Sequence, residues 1–203
     1  MSPRPAALSL LLLVAALPQA AAAQPGAEWR RLATEQDRDR IRDLRDNWVE
    51  AVTAARAAGH GAEVDREGAL LSPDGGLVSP ALLPGVYACR TIKVGMAHPG
   101  LLGFVAYPSF RCRVRVEGGR LTFGKLTGSQ RPHGRFFADR DERMVFLGTL
   151  QLGDERRSYR YGVDSDRDMI GALERIGPQR WRLVFPRPRF ESLLDVIELT
   201  PAH

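Results

Sequence analysis

The only two lysines of the chain, Lys93 and Lys125, are the residues whose type and placement could do chemistry, because every other cation is an arginine or a histidine. Both lysines fall on the same parity as the apolar positions of alternating segments. A compact ammonium that projects into a protein interior can hold an anionic ligand or act as a base of lowered pKa. The alternative is that each lysine reaches water from a strand end or bulge, with the shared parity due to chance.

A second group of candidate ligand-binding residues, Ser129, Arg131 and His133, lies in the glycine-bracketed segment 127–135. Loops on rigid barrels often carry binding sites. A hydrolase would need His133 to act as a base for Ser129, which requires the loop to fold back on itself. The G-x-S-x-G pattern of a nucleophile elbow is absent. The composition is more typical of a solvated turn.

The sequence predicts no metal site and no cofactor. The acidic segment 164–168 resembles a calcium loop only superficially, since its sixth position is Met169 rather than glycine and its twelfth is Arg175 rather than glutamate. The four histidines show no i, i+4 pairing, and two cysteines cannot form a thiolate zinc site.

The cysteines, Cys89 and Cys112, lie in two alternating segments, 85–94 and 104–116. If the chain reverses around residues 99–100, opposed positions sum to about 201, so Cys89 faces Cys112 across a hairpin. Facing Cα atoms are close enough for a disulfide, so we predict one; two buried free thiols are the alternative. Val114 and Val116 share the parity of Cys112, which we assign to the interior.

An export signal is predicted at residues 1–23. A short segment with Arg4 precedes an apolar run too short to span a bilayer, and small residues then favour cleavage before Gln24. No later run reaches transmembrane length. We therefore expect a periplasmic or secreted protein, a compartment that favours disulfides. The net charge of +5 is weak and its signs are interspersed, so nucleic acid is not an expected partner.

The elements that position these residues are one amphipathic helix followed by many strands. Thr34 is the predicted N-cap of a helix that ends at Gly59, with Trp48 on its apolar stripe. Residues 24–84 form this helical arm and a connector. In residues 85–203 the hydrophobic period is two, and short turns predict an antiparallel meander. We expect it to close into a small lipocalin-like barrel, with the helix at an open end or outside.

Several motifs resemble an uncharacterised exported bacterial family, domain of unknown function 4893. They are Asp37-Arg38-Asp39-Arg40-Ile41 with Trp48, Tyr87-Ala88-Cys89-Arg90 with Lys93, Phe110-Arg111-Cys112, Thr127-Gly128-Ser129-Gln130-Arg131-Pro132 and Arg180-Trp181-Arg182-Leu183. The resemblance covers nearly all of the mature chain and implies no activity. Gly85-x-Tyr87 is also similar in position to the G-x-W start of lipocalin-like barrels, without the tryptophan.

We therefore expect a non-enzymatic envelope protein whose barrel binds an unknown ligand or a protein partner. The alternative from another class is a small periplasmic hydrolase that uses the segment 127–135. A third hypothesis is an interaction protein whose helix docks through an exposed apolar stripe around Trp48. A nucleophile and base in one cleft would favour the enzyme, whereas a shaped cavity would favour binding.

Overall fold

A computed structural model describes residues 26–153 and 155–202. The predicted signal segment and its cleavage site lie outside the described residues. The described chain has a helical segment followed by nine strands. The strands are β1 (Gly85–Met96), β2 (Phe104–Ala106), β3 (Phe110–Glu117), β4 (Arg120–Lys125), β5 (Gln130–Arg140), β6 (Arg143–Leu152), β7 (Asp168–Gly177), β8 (Arg180–Pro186) and β9 (Ser192–Pro201).

The strands form a closed antiparallel barrel that is eight strands around, because β2 and β3 share one position beside β1. This confirms the predicted fold class. Each strand from β3 to β8 pairs with the one that follows it along the chain. The last strand, β9, pairs with β1, from Tyr87↔Pro201 to Met96↔Ser192. The short β2 and β3 lie end to end along the other edge of β1. Because β1 and β9 pair with each other, neither is left as a free edge of the described sheet, which removes a template for edge-to-edge aggregation.

The helices lie outside the barrel. They are α1 (Ala27–Leu32), α2 (Glu35–Arg42), α3 (Leu44–Ala55) and α4 (Gly61–Glu67), with a π-helical stretch, Arg56–His60, between the last two. The predicted cap at Thr34 is present, since its hydroxyl accepts from the Asp37 N–H at 3.2 Å. The predicted single helix is instead interrupted at Asp43, and α1 was not foreseen. Among the described residues, no helix combines the length and the apolarity needed to cross a membrane.

Strand alternation divides the buried residues into two cores. The inner core lies inside the barrel and contains both cysteines and six buried aromatic side chains, namely Tyr87, Phe123, Phe136, Phe146, Trp181 and Phe185. The outer core lies between the helices and the outside of β1 and β5–β9, and it contains Trp29 and Trp48. Because Trp48 is only 1% exposed, the apolar stripe of α3 is covered by the barrel, which argues against the docking-helix hypothesis.

The predicted register between the two strands that carry the cysteines, β1 and β3, was wrong by two residues. Cys89 pairs with Phe110 and Cys112 with Tyr87, so paired positions sum to 199. The chain leaves the sheet between β2 and β3, where Pro108 cannot donate to a ladder. A shift of two preserves parity, so the cysteines still share the inner face and form a diagonal disulfide pair with Cα atoms 6.0 Å apart.

Three smaller expectations also differ from the structure. Most of the predicted loop 127–135 belongs to β5, which tolerates Pro132 because β4 pairs with β5 only at residues 133–135. Residues 158–163 lie within the region for which the hydrophobic period of two predicts strands, but they contain none: 158–160 have no regular structure, and 161–163 form a turn and a bend. Val116 has the inner parity, but it lies near the end of β3 and is 57% exposed.

A fully buried arginine fastens the helical segment to the barrel. Arg182, on the outer face of β8, donates twice to the buried Glu174 at 2.8 and 2.6 Å. The same guanidinium donates to the carbonyls of Ala69 and Ser72 at 2.8 and 2.5 Å, and it lies 4.3 Å from the ring centroid of Trp48. Burial lowers the pKa of Arg182 against the opposing effect of Glu174. This one side chain therefore connects β7, β8, α3 and the connector.

Candidate functional site

One end of the barrel contains a cavity of about 450 Å³. Its lining comes from the ends of β1, β4, β6 and β8, from the starts of β5, β7 and β9, from the segments that connect the strands, and from Arg40 of α2. Both lysines, Lys93 from β1 and Lys125 from β4, line it. The volume lies within the range of sites that take small organic ligands, roughly 300–1,000 Å³.

Aromatic rings fill the barrel below this cavity. Phe146 and Phe185 meet edge to face with centroids 5.6 Å apart, and Phe185 also lines the cavity. Two paired inward glycines, Gly134 and Gly148, make room for the Phe146 ring. A Cβ at either position would lie about 2.5 Å from the ring. These close contacts divide the interior into a packed half and a hollow half.

Lys93 is neutralised by acids of β9 and the turn before it. Its Nζ lies 2.7 Å from Glu191 Oε2 and 3.6 Å from Asp195 Oδ2. Burial disfavours the charge of Lys93, but these two carboxylates outweigh that cost and raise its pKa. Asp195 also accepts from the Ser192 hydroxyl at 2.5 Å, and its burial raises its own pKa. Lys93 is thus part of a buried charge cluster.

Lys125 differs from Lys93 in having no acidic partner among the residues that the structure describes. Its Nζ lies 4.2 Å from the ring centroid of Phe110, and it forms no ion pair with any carboxylate in 26–153 or 155–202. Burial lowers the pKa of Lys125, and the charges of Lys93 and Arg131 lower it further. An ammonium in this position gains from any negative group that enters the cavity.

The rest of the lining is mostly apolar inside and charged at the rim. The apolar side chains are Pro132, Leu150, Met169, Ile170, Phe185, Pro186, Pro188, Phe190 and Ile197. The rim arginines have acidic partners, as Arg189 shows with Asp166 at 2.7 Å. Asp168 also reaches the rim, but its carboxylate accepts the N–H of Gly162, at 2.9 Å to one oxygen. As far as the structure describes the chain, the cavity therefore combines an apolar wall with one cation, Lys125, that no acidic side chain neutralises.

The structure separates the three other predicted ligand-binding residues. Ser129 lines the cavity from the turn between β4 and β5. Arg131 does not line it; its guanidinium donates to the carbonyls of Gly128 and Gly153, both at 2.6 Å, and so holds this turn in place.

His133 points to the outer face of β5, where its Nδ1 lies 3.1 Å from the Ser158 hydroxyl and burial lowers its pKa. Ser129 and His133 are therefore not brought together as a nucleophile and its base. Within the described ranges, no group of three or more His, Cys, Asp or Glu side chains could hold a metal ion.

Sequence reasoning missed the acids that face Lys93. Asp195 interrupts an apolar strand at the parity of Ile197 and Leu199, and a charged residue at an inward position is a detectable signal. Glu191 gave no such signal, because it lies in a turn and reaches Lys93 only through the positive φ of its backbone (68°).

Comparison with known proteins identifies a family but no characterised relative. The family model described as Domain of unknown function (DUF4893) matches residues 29–199, which include all but the first two residues of the helical segment and all but the last two residues of the barrel. No curated protein and no solved structure matches the chain.

Proposed function

We propose that this chain, which belongs to the DUF4893 family, is an exported, non-enzymatic protein that binds a small molecule in the cavity of its barrel. The observation that carries the proposal is the division of the barrel interior. Large aromatic side chains pack one half, whereas the other half leaves about 450 Å³ lined by apolar groups and both lysines. A barrel that needed only stability would gain from filling this volume, since cavities cost free energy.

Binding is favoured over hydrolysis by the orientation of the polar groups. The hydrolase alternative needs Ser129 within hydrogen-bond reach of a base. Ser129 lies at the cavity, whereas His133 faces away from it and hydrogen-bonds with Ser158. Among the described residues, the two lysines of the cavity differ: Lys93 is paired with carboxylates, whereas Lys125 has no acidic partner, an arrangement suited to holding a ligand.

The binding proposal can be tested with a neutral fluorescent probe, N-phenyl-1-naphthylamine, added to the mature chain, residues 24–203. We expect saturable fluorescence enhancement, which Met169→Trp abolishes because the larger side chain fills the cavity that Met169 lines. The matched control is Val163→Trp, at a position that is 65% exposed and outside the lining. No saturable binding, or equal binding by both variants, would overturn the proposal; circular dichroism verifies that both variants are folded.

The export part of the proposal rests on the signal segment and on the cysteine pair, which an oxidising compartment would keep bonded. Expression of residues 1–203 in a bacterium with a periplasm tests it. We expect the protein in the periplasmic fraction, with the mass of a chain that starts at Gln24. Recovery of the uncleaved chain from the cytoplasm would contradict export.

A further inference from the structure

We infer that the ligand is an amphiphile with a single negative headgroup, held by Lys125, whose apolar body lies against Leu150, Met169, Phe185 and Ile197. The inference rests on the proposed function and specifies its ligand class. It follows from the charges of the cavity, from its apolar wall and from its size.

Over the ranges 26–153 and 155–202, the ion pairs around the cavity leave one lining cation, Lys125, for a ligand. Each of the other cationic side chains in the lining has an acidic partner among the described residues. The pairs are Arg40 with Asp37, Lys93 with Glu191 and Asp195, Arg167 with Glu155 and Asp164, and Arg189 with Asp166. Within residues 26–153 and 155–202, the contact that Lys125 makes with a charged or aromatic group is with the face of Phe110. A half-buried ammonium without an anion loses hydration and gains little in return, and a bound anion would compensate for that loss.

The same charges limit the headgroup to one negative charge. Asp195 and Glu191 neutralise Lys93 inside the same cavity, so a second negative charge on the ligand would meet carboxylates rather than a free cation. A headgroup such as a carboxylate or a sulfonate satisfies Lys125 without this repulsion. A dianionic phosphate does not.

The position of Lys125 is fixed by the turn that follows β4. Gly128, at φ 93°, brings its backbone over the lysine, and a Cβ there would lie 3.5 Å from both Cε and Nζ. Arg131 holds the same turn through the carbonyl of Gly128. Thus Arg131 acts on the ligand by positioning Lys125 and by adding positive potential.

The apolar wall and the volume define the body of the ligand. At about 30 Å³ for each water-sized group, the cavity takes on the order of 15 non-hydrogen atoms. A chain of about ten carbons satisfies this limit and covers the apolar wall. Decanoate and 1-decanol are therefore a matched pair of probes, alike in their chains and different in the charge of their headgroups.

The test measures displacement of N-phenyl-1-naphthylamine by decanoate and by 1-decanol at neutral pH. For the native chain, decanoate should bind about tenfold more tightly or better, the usual effect of a charge-assisted hydrogen bond. Lys125→Met should abolish this preference and leave decanol binding nearly unchanged, and Lys125→Arg should keep it. The control Arg189→Met removes a paired rim cation and should change the preference by less than about threefold.

The outcomes separate the two proposals. If neither decanoate nor decanol displaces the probe and the probe itself does not bind, the proposed function fails. If both bind with equal affinity and Lys125→Met has no effect on either, the cavity binds ligands but the inference of an anionic headgroup is wrong. If Arg189→Met abolishes the preference as Lys125→Met does, the rim rather than Lys125 selects the charge, which also overturns the inference.

Discussion

Of the arginines whose ion pairs are described above, Arg182 should be the one whose replacement by methionine lowers the free energy of unfolding most. Methionine has a similar length and can pack on Trp48, but it leaves the Glu174 carboxylate buried without a cation and removes the donors to the carbonyls of Ala69 and Ser72. Removing one partner of a buried ion pair costs about 3–5 kcal/mol. With a urea m-value of about 2 kcal/mol/M, the midpoint should fall by roughly 2 M.

The assay is urea unfolding followed by backbone circular dichroism, with two comparisons. Arg45→Met removes an exposed arginine whose guanidinium donates to both oxygens of Asp74, and it should shift the midpoint far less than Arg182→Met does, because an exposed ion pair contributes little to stability. The double variant Glu174→Gln, Arg182→Met should be no less stable than Arg182→Met alone, because an unpaired buried amide costs less than an unpaired buried carboxylate. Equal effects of Arg45→Met and Arg182→Met would refute the reasoning.

Three further predictions follow from the fold. Replacing Cys89 and Cys112 by alanine should lower the free energy of unfolding by about 3 kcal/mol, and reduction of the native chain should add two protons by mass spectrometry; equal masses would refute the bond. Burial and the hydrogen bond to Asp37 raise the pKa of Tyr161 to about 12. The contribution of this side chain to the free energy of unfolding should therefore be complete below a pH of about 10 and lost as the pH rises through about 12. Tyr161→Phe should remove this pH dependence from unfolding curves measured at alkaline pH. Gly148→Ala would place its Cβ 2.4 Å from the His133 carbonyl oxygen and should cost about 3 kcal/mol or more in the same urea assay; a neutral result would contradict the close packing described.

The alternation of apolar and polar residues along the sequence was enough to predict the barrel and to assign which side chains of its strands face inward. Lys93 and Lys125 occupy inward positions because strand parity survives an error of two residues in register, and the predicted register was wrong by two. The register itself could not be predicted, since the break at residues 107–109 depends on where the chain leaves the sheet rather than on any local pattern.

The outer layer was less predictable than the barrel. Arg182 alternates with inward-facing Trp181 and Leu183, a pattern that ordinarily indicates a solvated outer face. Its burial arises from the connector and α3, which lie over it, and such tertiary contacts leave no periodic signal. The six-residue helix α1 was missed for a related reason, because the buried Trp29 indole that fixes it donates to Asp139, 110 positions away.

The pairing of β1 with β9 has a consequence for biogenesis. The barrel cannot close until β1 pairs with β9, so closure requires that residues 192–201 have been synthesised. Until then, the backbone groups of β1 that pair with β9 have no partner strand. Helix α3 packs against both β1 and β9, so it also lacks part of the surface that it covers in the folded barrel. A chain cut short before β9 is therefore expected to remain an open sheet, vulnerable to proteases and to pairing with other copies.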